Sequence, residues 1–146
     1  MAVARGRDVK TVAVADMLQT ALSSWIDEAG RPEGRLTIHT DQPQKVPYRQ
    51  ASPFVMMMCE LASEAERYGP LSERGGLVTL SLNTHPEGGF TLVWATQCKT
   101  AQKEGLNGNK FSSALIQLCA SMLGQVKEFR QDDTGLRLEI HVQDPQ

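Results

Sequence analysis

The sequence predicts an α+β fold, a two-layer sandwich with about three helices on one face of a mixed, largely antiparallel sheet. Three observations predict it. Apolar residues recur at helical spacing in three separate segments. Five to seven shorter segments read as strands. The later strands fall in pairs joined by turn-forming peptides, which makes them antiparallel neighbours. The 146 residues are one domain's worth of chain. A chain of this length buries roughly two thirds of its unfolded surface, so no disulfide or metal staple is needed. The domain is expected over residues 12–143, with residues 1–11 and 144–146 as tails.

The first helix is read from Val14, Met17, Leu18, Ala21, Leu22, Trp25 and Ile26, one apolar stripe that ends before Gly30-Arg31-Pro32. Leu36–Thr40 alternates like a short strand, Asp41-Gln42-Pro43 turns the chain, and Val46–Tyr48 adds a brief second strand. Ser52 and Pro53 suit the N-cap and first position of a second helix. This helix is expected from Phe54 to about Tyr68, before Gly69-Pro70, with Val55, Met58, Leu61, Ala62, Ala65 and Tyr68 as its stripe. The run Met56-Met57-Met58 reads as core filler.

Leu77–Leu82 and Phe90–Ala95 form a hairpin around the turn chemistry of Asn83–Gly89. Thr79, Ser81, Thr91, Arg137 and Glu139 alternate with apolar residues, so the sheet face away from the helices is expected to meet solvent. Residues 97–110 are polar and aperiodic and are expected to form a long mobile loop. The third helix takes Phe111, Ala114, Leu115, Leu118, Cys119, Met122 and Leu123 as its core stripe, with Gly124 at the C′ position. Gln125–Arg130 and Leu136–Val142 close the fold as a strand pair.

Composition excludes several classes. Fifteen basic against seventeen acidic residues give a formal net charge of −2, without the basic excess or stripe of a nucleic-acid binder. The longest apolar run, Phe54–Cys59, is far short of the ~20 residues that span a bilayer. The N-terminal ten residues lack the apolar stretch of a signal peptide. Cys59, Cys98 and Cys119 are odd in number and lack metal-ligand spacing, so they read as reduced thiols of a cytoplasmic protein.

One segment carries a resemblance. Cys59–Ser72, CELASEAERYGPLS, resembles the N-box of the HWE and closely related histidine kinases, whose pattern runs HELATNAxKYGALS. That box belongs to the ATP-binding catalytic domain of the GHKL ATPase class. The strand pair GGLVTLSL and FTLVW resembles the family's pair ending in W-x-E. KFSSALIQLCASMLGQVKEF resembles its GFGSRLI…LGG block, and GLRLEIHV its terminal strand. The likeness covers about residues 12–143 and implies the GHKL sandwich.

The departures fall on the positions the family uses for chemistry. The N-box Asn that holds Mg²⁺ is Glu64 here, its His is Cys59, and the Glu of W-x-E is Thr96, although Trp94 is kept. A carboxylate can ligate Mg²⁺, but Glu64 adds negative charge where phosphates must sit. One like-charge pair at about 4 Å costs roughly 4 kcal/mol at an effective dielectric near 20. The Gly-rich adenine turn is replaced by Gln97-Cys98-Lys99-Thr100, and both glycines of the phosphate motif are lost in Lys110-Phe111-Ser112-Ser113-Ala114. If nucleotide binding is retained, the resemblance places it at Glu64, Arg67, Tyr68, Lys99, Gly105, Gly108, Lys110 and Ser112, with Glu64 the one candidate ligand for Mg²⁺. Glu60, the candidate catalytic residue, matches the carboxylate that in many GHKL ATPases acts as a general base toward water or orients the acceptor. Glu60 and Glu64 share a helix face and repel each other. They read as a solvated pair offset by Arg67, with a hidden divalent-metal site as the sharper alternative.

A histidine kinase needs a phosphoacceptor histidine on a helical hairpin, whereas His39, His85 and His141 fall in predicted strands and a turn. The resemblance therefore points first to a degenerate histidine-kinase-like domain. Such a domain acts without catalysis, through protein contacts in bacterial two-component signalling. The alternative is an ATP-binding domain of an HWE-type sensor kinase with altered motifs, an ATP-dependent transferase if active. A weaker one is kinship with histidine phosphotransfer proteins. No cofactor is expected, or Mg-ATP if the pocket functions. The expected partner is a response regulator or kinase component, with a homo-oligomer also open, and the rim of Lys99, Lys103, Lys110 and Phe111 is the expected contact. Phe111 itself, heading the apolar stripe, is expected in the core.

Overall fold

The computed structural model describes residues 10–29, 36–67, 76–97, 110–132 and 135–143. Its strands are β1 (Thr11–Ala13), β2 (Leu36–Thr40), β3 (Lys45–Pro47), β4 (Leu77–Thr84), β5 (Phe90–Gln97), β6 (Gly124–Asp132) and β7 (Gly135–Val142). Its helices are α1 (Val14–Ala29), α2 (Ala51–Arg67) and α3 (Lys110–Leu123). The main sheet runs β2-β4-β5-β7-β6, with β2 parallel to β4 and every other pair antiparallel. The expected α+β sandwich is the observed fold.

Alternation along the strands decides which face the helices cover. Leu80, Trp94 and Leu138 lie side by side across three strands and are fully buried, as are Leu82, Leu92 and Ile140 two residues along. They pack against Val14, Met17, Leu18 and Leu22 of α1, Phe54, Met57, Met58 and Leu61 of α2, and Ile116 and Leu123 of α3 in one core. The opposite face carries Thr79, Ser81, Thr91, Arg137 and Glu139, all half-buried. There Arg137 Nε donates to Glu128 Oε1 at 2.9 Å. The side chains of Trp25, Ile26 and Tyr68 lie outside the described residues.

A second, two-stranded sheet pairs β1 with β3 antiparallel. The strand at Thr11–Ala13 has too few residues to show a period, and its partner lies beyond a whole helix and strand. This pairing also serves α1, because Val14 N–H donates to Gln44 O at 2.9 Å and satisfies one of the orphan donors at the helix start. Beside it Asp41 closes β2 onto β4. Thr84 N–H donates to Asp41 Oδ2 at 2.9 Å and Thr84 Oγ1 donates to Oδ1 at 2.8 Å. These two bonds hold the Asp41 carboxyl below its ordinary value of 3.8.

Local details differ from expectation. Helix α2 starts at Ala51, continuing a 3₁₀ turn at Tyr48–Gln50, so Ser52 is not its N-cap. Pro53 is tolerated because first-turn N–H groups have no intrahelical partner. Gly124 opens β6 directly after α3 and has no positive φ, so it is not a C′ glycine. A Cβ there would lie 2.1 Å from His141 O, and closeness to β7 is what selects glycine. In the β4–β5 turn, Gly88 and Gly89 do adopt positive φ, 106° and 81°.

The largest difference concerns α3. Its core face is Ser112, Ile116, Cys119, Ala120 and Leu123, whereas Phe111, Leu118 and Met122 are exposed. Phe111, expected in the core, is 75% exposed. The sequence holds two apolar stripes on this helix, and periodicity alone merged them into one. The methionine run splits too, with Met57 and Met58 buried and Met56 exposed.

Candidate functional site

Helices α2 and α3 run antiparallel, because one end of α2 meets the far end of α3 and the reverse. Gln50 Nε2 donates to Met122 O at 3.4 Å, while the carboxylates of Glu60 and Glu64 meet Ser112 in the first turn of α3. The 3.6-residue period sets Glu60 and Glu64 one turn apart on the face turned to α3.

Ser112 Oγ lies 2.6 Å from Glu64 Oε1 and also contacts Glu60 Oε2. Glu64 is 4% exposed, Ser112 is buried and Glu60 is half-buried. A serine hydroxyl carries one proton and can donate to one acceptor at a time. A single hydroxyl thus serves two carboxylates, beside the end of α3 whose dipole favours negative charge. The expectation of a solvated Glu60–Glu64 pair is overturned. Glu64 is buried at the α2–α3 contact with Ser112, a tertiary contact that one-dimensional spacing does not reveal.

The other site residues are distributed unevenly. Cys59 is exposed and its Sγ lies 3.9 Å from Ala21 O, on the α1 side of α2 and away from Ser112. Cys119 is buried, which pushes its thiol above the ordinary value. Trp94 is a core residue. Thr96 is turned to β7, where Leu136 N–H donates to its Oγ1 at 2.7 Å. Lys110 begins α3 and Arg67 ends α2, but their side chains, like Tyr68, Lys99, Lys103, Gly105, Gly108 and the whole 98–109 segment, lie outside the described residues. Among the described residues no group of three or more His, Cys, Asp or Glu is placed to hold a metal ion.

The three histidines are described and none is helical. His39 is in β2, His141 in β7, and His85 in the β4–β5 turn. His85 Nε2 lies 2.6 Å from Thr91 Oγ1, and its ring meets His141 edge-on with centroids 4.3 Å apart. They are held as structural residues of the hairpin end.

By the resemblance, Glu64 and Ser112 are among the residues that would face Mg-ATP, and here Ser112 Oγ lies against the carboxylates of both Glu64 and Glu60.

The fold is that of the ATP-binding domain of histidine kinases, the GHKL class. The blue-light activated histidine kinase of Erythrobacter litoralis is similar over 88% of this chain and 59% of its own kinase domain, with 17% identity and a TM-score of 0.63. This chain thus spans less than two thirds of that kinase domain. The ATP-binding domain of PrrB from Mycobacterium tuberculosis is matched over 95% of this chain and 99% of its own, at 15% identity and a TM-score of 0.63. The mycobacterial sensor histidine kinase MprB gives 94% and 100%, at 13% identity and a TM-score of 0.61. No family model and no curated protein sequence matches. No helix among the described residues is long and apolar enough to cross a membrane.

Proposed function

We propose that the chain is a degenerate histidine-kinase-like domain that acts through protein contacts in two-component signalling, in the cytoplasm, without phosphoryl transfer of its own. One observation carries the reading. Ser112 and Glu64 stand where the resembled family has a phosphate-motif glycine and the Mg²⁺-holding Asn, and the two bond to each other at 2.6 Å. The groups that would face phosphate and metal are engaged in joining α2 to α3. Phe111, exposed at the head of α3, supports action by contact at this rim, with a response regulator or kinase component as the partner class.

Calorimetric titration with Mg-ATP tests the proposal. The expected dissociation constant is weaker than millimolar, because the glycine cradle is lost and Glu64 repels the phosphates. A value in the low micromolar range overturns the non-catalytic reading and favours an ATP-binding domain with altered motifs.

A further inference from the structure

Protein interiors leave few voids larger than a water molecule. Between the start of α1 and the edge strand β2 this chain leaves a cavity of about 230 Å³. Its floor is Val14, Leu18 and Leu82, all buried, with the buried Gln44 beside them. Its mouth is Ala13, Ala15, Ile38, Thr40 and Pro43, which are exposed or half-buried, so the space opens to solvent. Alanine stands on either side of Val14, and these two smallest side chains of the rim keep the entrance clear. No lining residue comes from α2 or α3, so the cavity is separate from the contact of Glu64 with Ser112.

The chemistry of the wall selects the occupant. Its side-chain donors are already used. Gln44 Nε2 donates to Thr84 Oγ1 at 2.8 Å and to Asp41 Oδ1 at 3.3 Å, which takes both of its hydrogens. The single hydrogen of the Thr40 hydroxyl has Gln42 O at 2.8 Å and Gln44 Oε1 at 3.2 Å. The Val14 N–H is held by Gln44 O. No side-chain donor is left for an anion, and Asp16 in the first turn of α1 adds negative charge to that helix start. No lining residue is charged, so a cation finds no counter-charge in the wall. Water in such a space needs about two to four polar partners, which this wall does not supply.

Size narrows the class. An apolar cavity of about 150 Å³ takes benzene. On that scale this one takes a single ring with a short alkyl chain, or an aliphatic chain end of similar bulk. We propose that the α1–β2 cavity is a binding site for a small, uncharged aromatic or aliphatic molecule of roughly seven to nine carbons.

Toluene titrated into the full chain, followed in methyl carbon–proton correlation spectra, tests it. The methyl signals of Val14, Leu18 and Leu82 should shift saturably, with a dissociation constant on the order of 0.1–1 mM, while those of Leu123 in α3 stay in place. The melting temperature should rise with toluene, because a molecule that binds only the folded chain stabilises it. Benzoate and benzylamine, charged probes with the same ring, should bind at least tenfold more weakly. The double variant A13L/A15L should lose at least tenfold in toluene affinity with unchanged far-ultraviolet circular dichroism, since both positions are at the mouth. Shifts that stay linear in toluene concentration, or equal binding by A13L/A15L, overturn the site. A charged probe that binds as tightly as toluene overturns the uncharged class. Overhauser contacts from the Leu18 and Leu82 methyls to Val3 in the free chain, with no response to toluene, would give the space to the chain's own N-terminal residues and overturn the proposal.

Discussion

Ser112 Oγ sits 2.6 Å from Glu64 Oε1, joining the first turn of α3 to the last turns of α2 through two buried side chains. A hydrogen bond to a charged group contributes about 1.5–3 kcal/mol, and removing one partner leaves the other desolvated. Ser112→Ala should therefore cost about 1–3 kcal/mol in urea denaturation. Because the two residues are in contact, Glu64→Gln combined with Ser112→Ala should cost less than the sum of the single changes, by about 1 kcal/mol. Strict additivity would show that the contact carries no energy.

Restoring the family's residue at a single position should not restore its chemistry. Glu64→Asn removes the negative charge, yet Ser112 still projects a side chain where the resembled motif has glycine. Mg-ATP binding by this variant, followed by calorimetry, should stay weaker than millimolar. A gain to micromolar affinity would place the whole defect at Glu64.

Acid stability should report on Asp41. Its folded value is depressed by the bonds from Thr84, so its contribution is present in full above the unfolded value near 3.8 and is lost as the pH falls through the lower folded value. The wild type should exceed Asp41→Asn in stability near neutrality, and the difference should shrink from about pH 5 to about pH 3. A gap that stays constant across that window would remove the carboxylate as its source.

Gly124→Ala asks for space that is absent. The added Cβ would meet His141 O at 2.1 Å, and that atom is backbone of the neighbouring strand. Forced displacement at such a site costs about 1–3 kcal/mol. The variant's midpoint in urea should fall accordingly, while Gly76→Ala provides a loop-side comparison. An unchanged midpoint would mean that β6 shifts freely against β7.

Legibility in the sequence followed range. Leu80, Trp94 and Leu138 were readable as core from period two alone, and the turn before Phe90 from its glycines, because both are local signals. The partner of β1 was not readable, since Thr11 and Pro47 are joined only through tertiary pairing. At the site, Glu60 and Glu64 were identifiable by spacing and by resemblance, but their burial was not. That burial depends on Ser112 arriving from a helix 48 residues further on. A signal did exist, because Glu64 and Ser112 are both departures from the same family pattern and paired departures invite contact. Phe111 was misplaced for a different reason. Its stripe is apolar like a core stripe, and hydrophobicity does not say which of two apolar faces meets the sheet.

Neighbouring positions at the end of α3 separate those two faces experimentally. Leu123 is buried among core residues, whereas Met122 is more than half exposed. Truncating a buried leucine costs about 2–5 kcal/mol through lost transfer energy and the cavity left behind. Leu123→Ala should thus lower the urea midpoint strongly, while Met122→Ala should change stability by no more than about 0.5 kcal/mol. The single-stripe pattern of the sequence puts both residues in the core and requires both to be costly. A large loss from Met122→Ala would therefore return Phe111, Leu118 and Met122 to the interior.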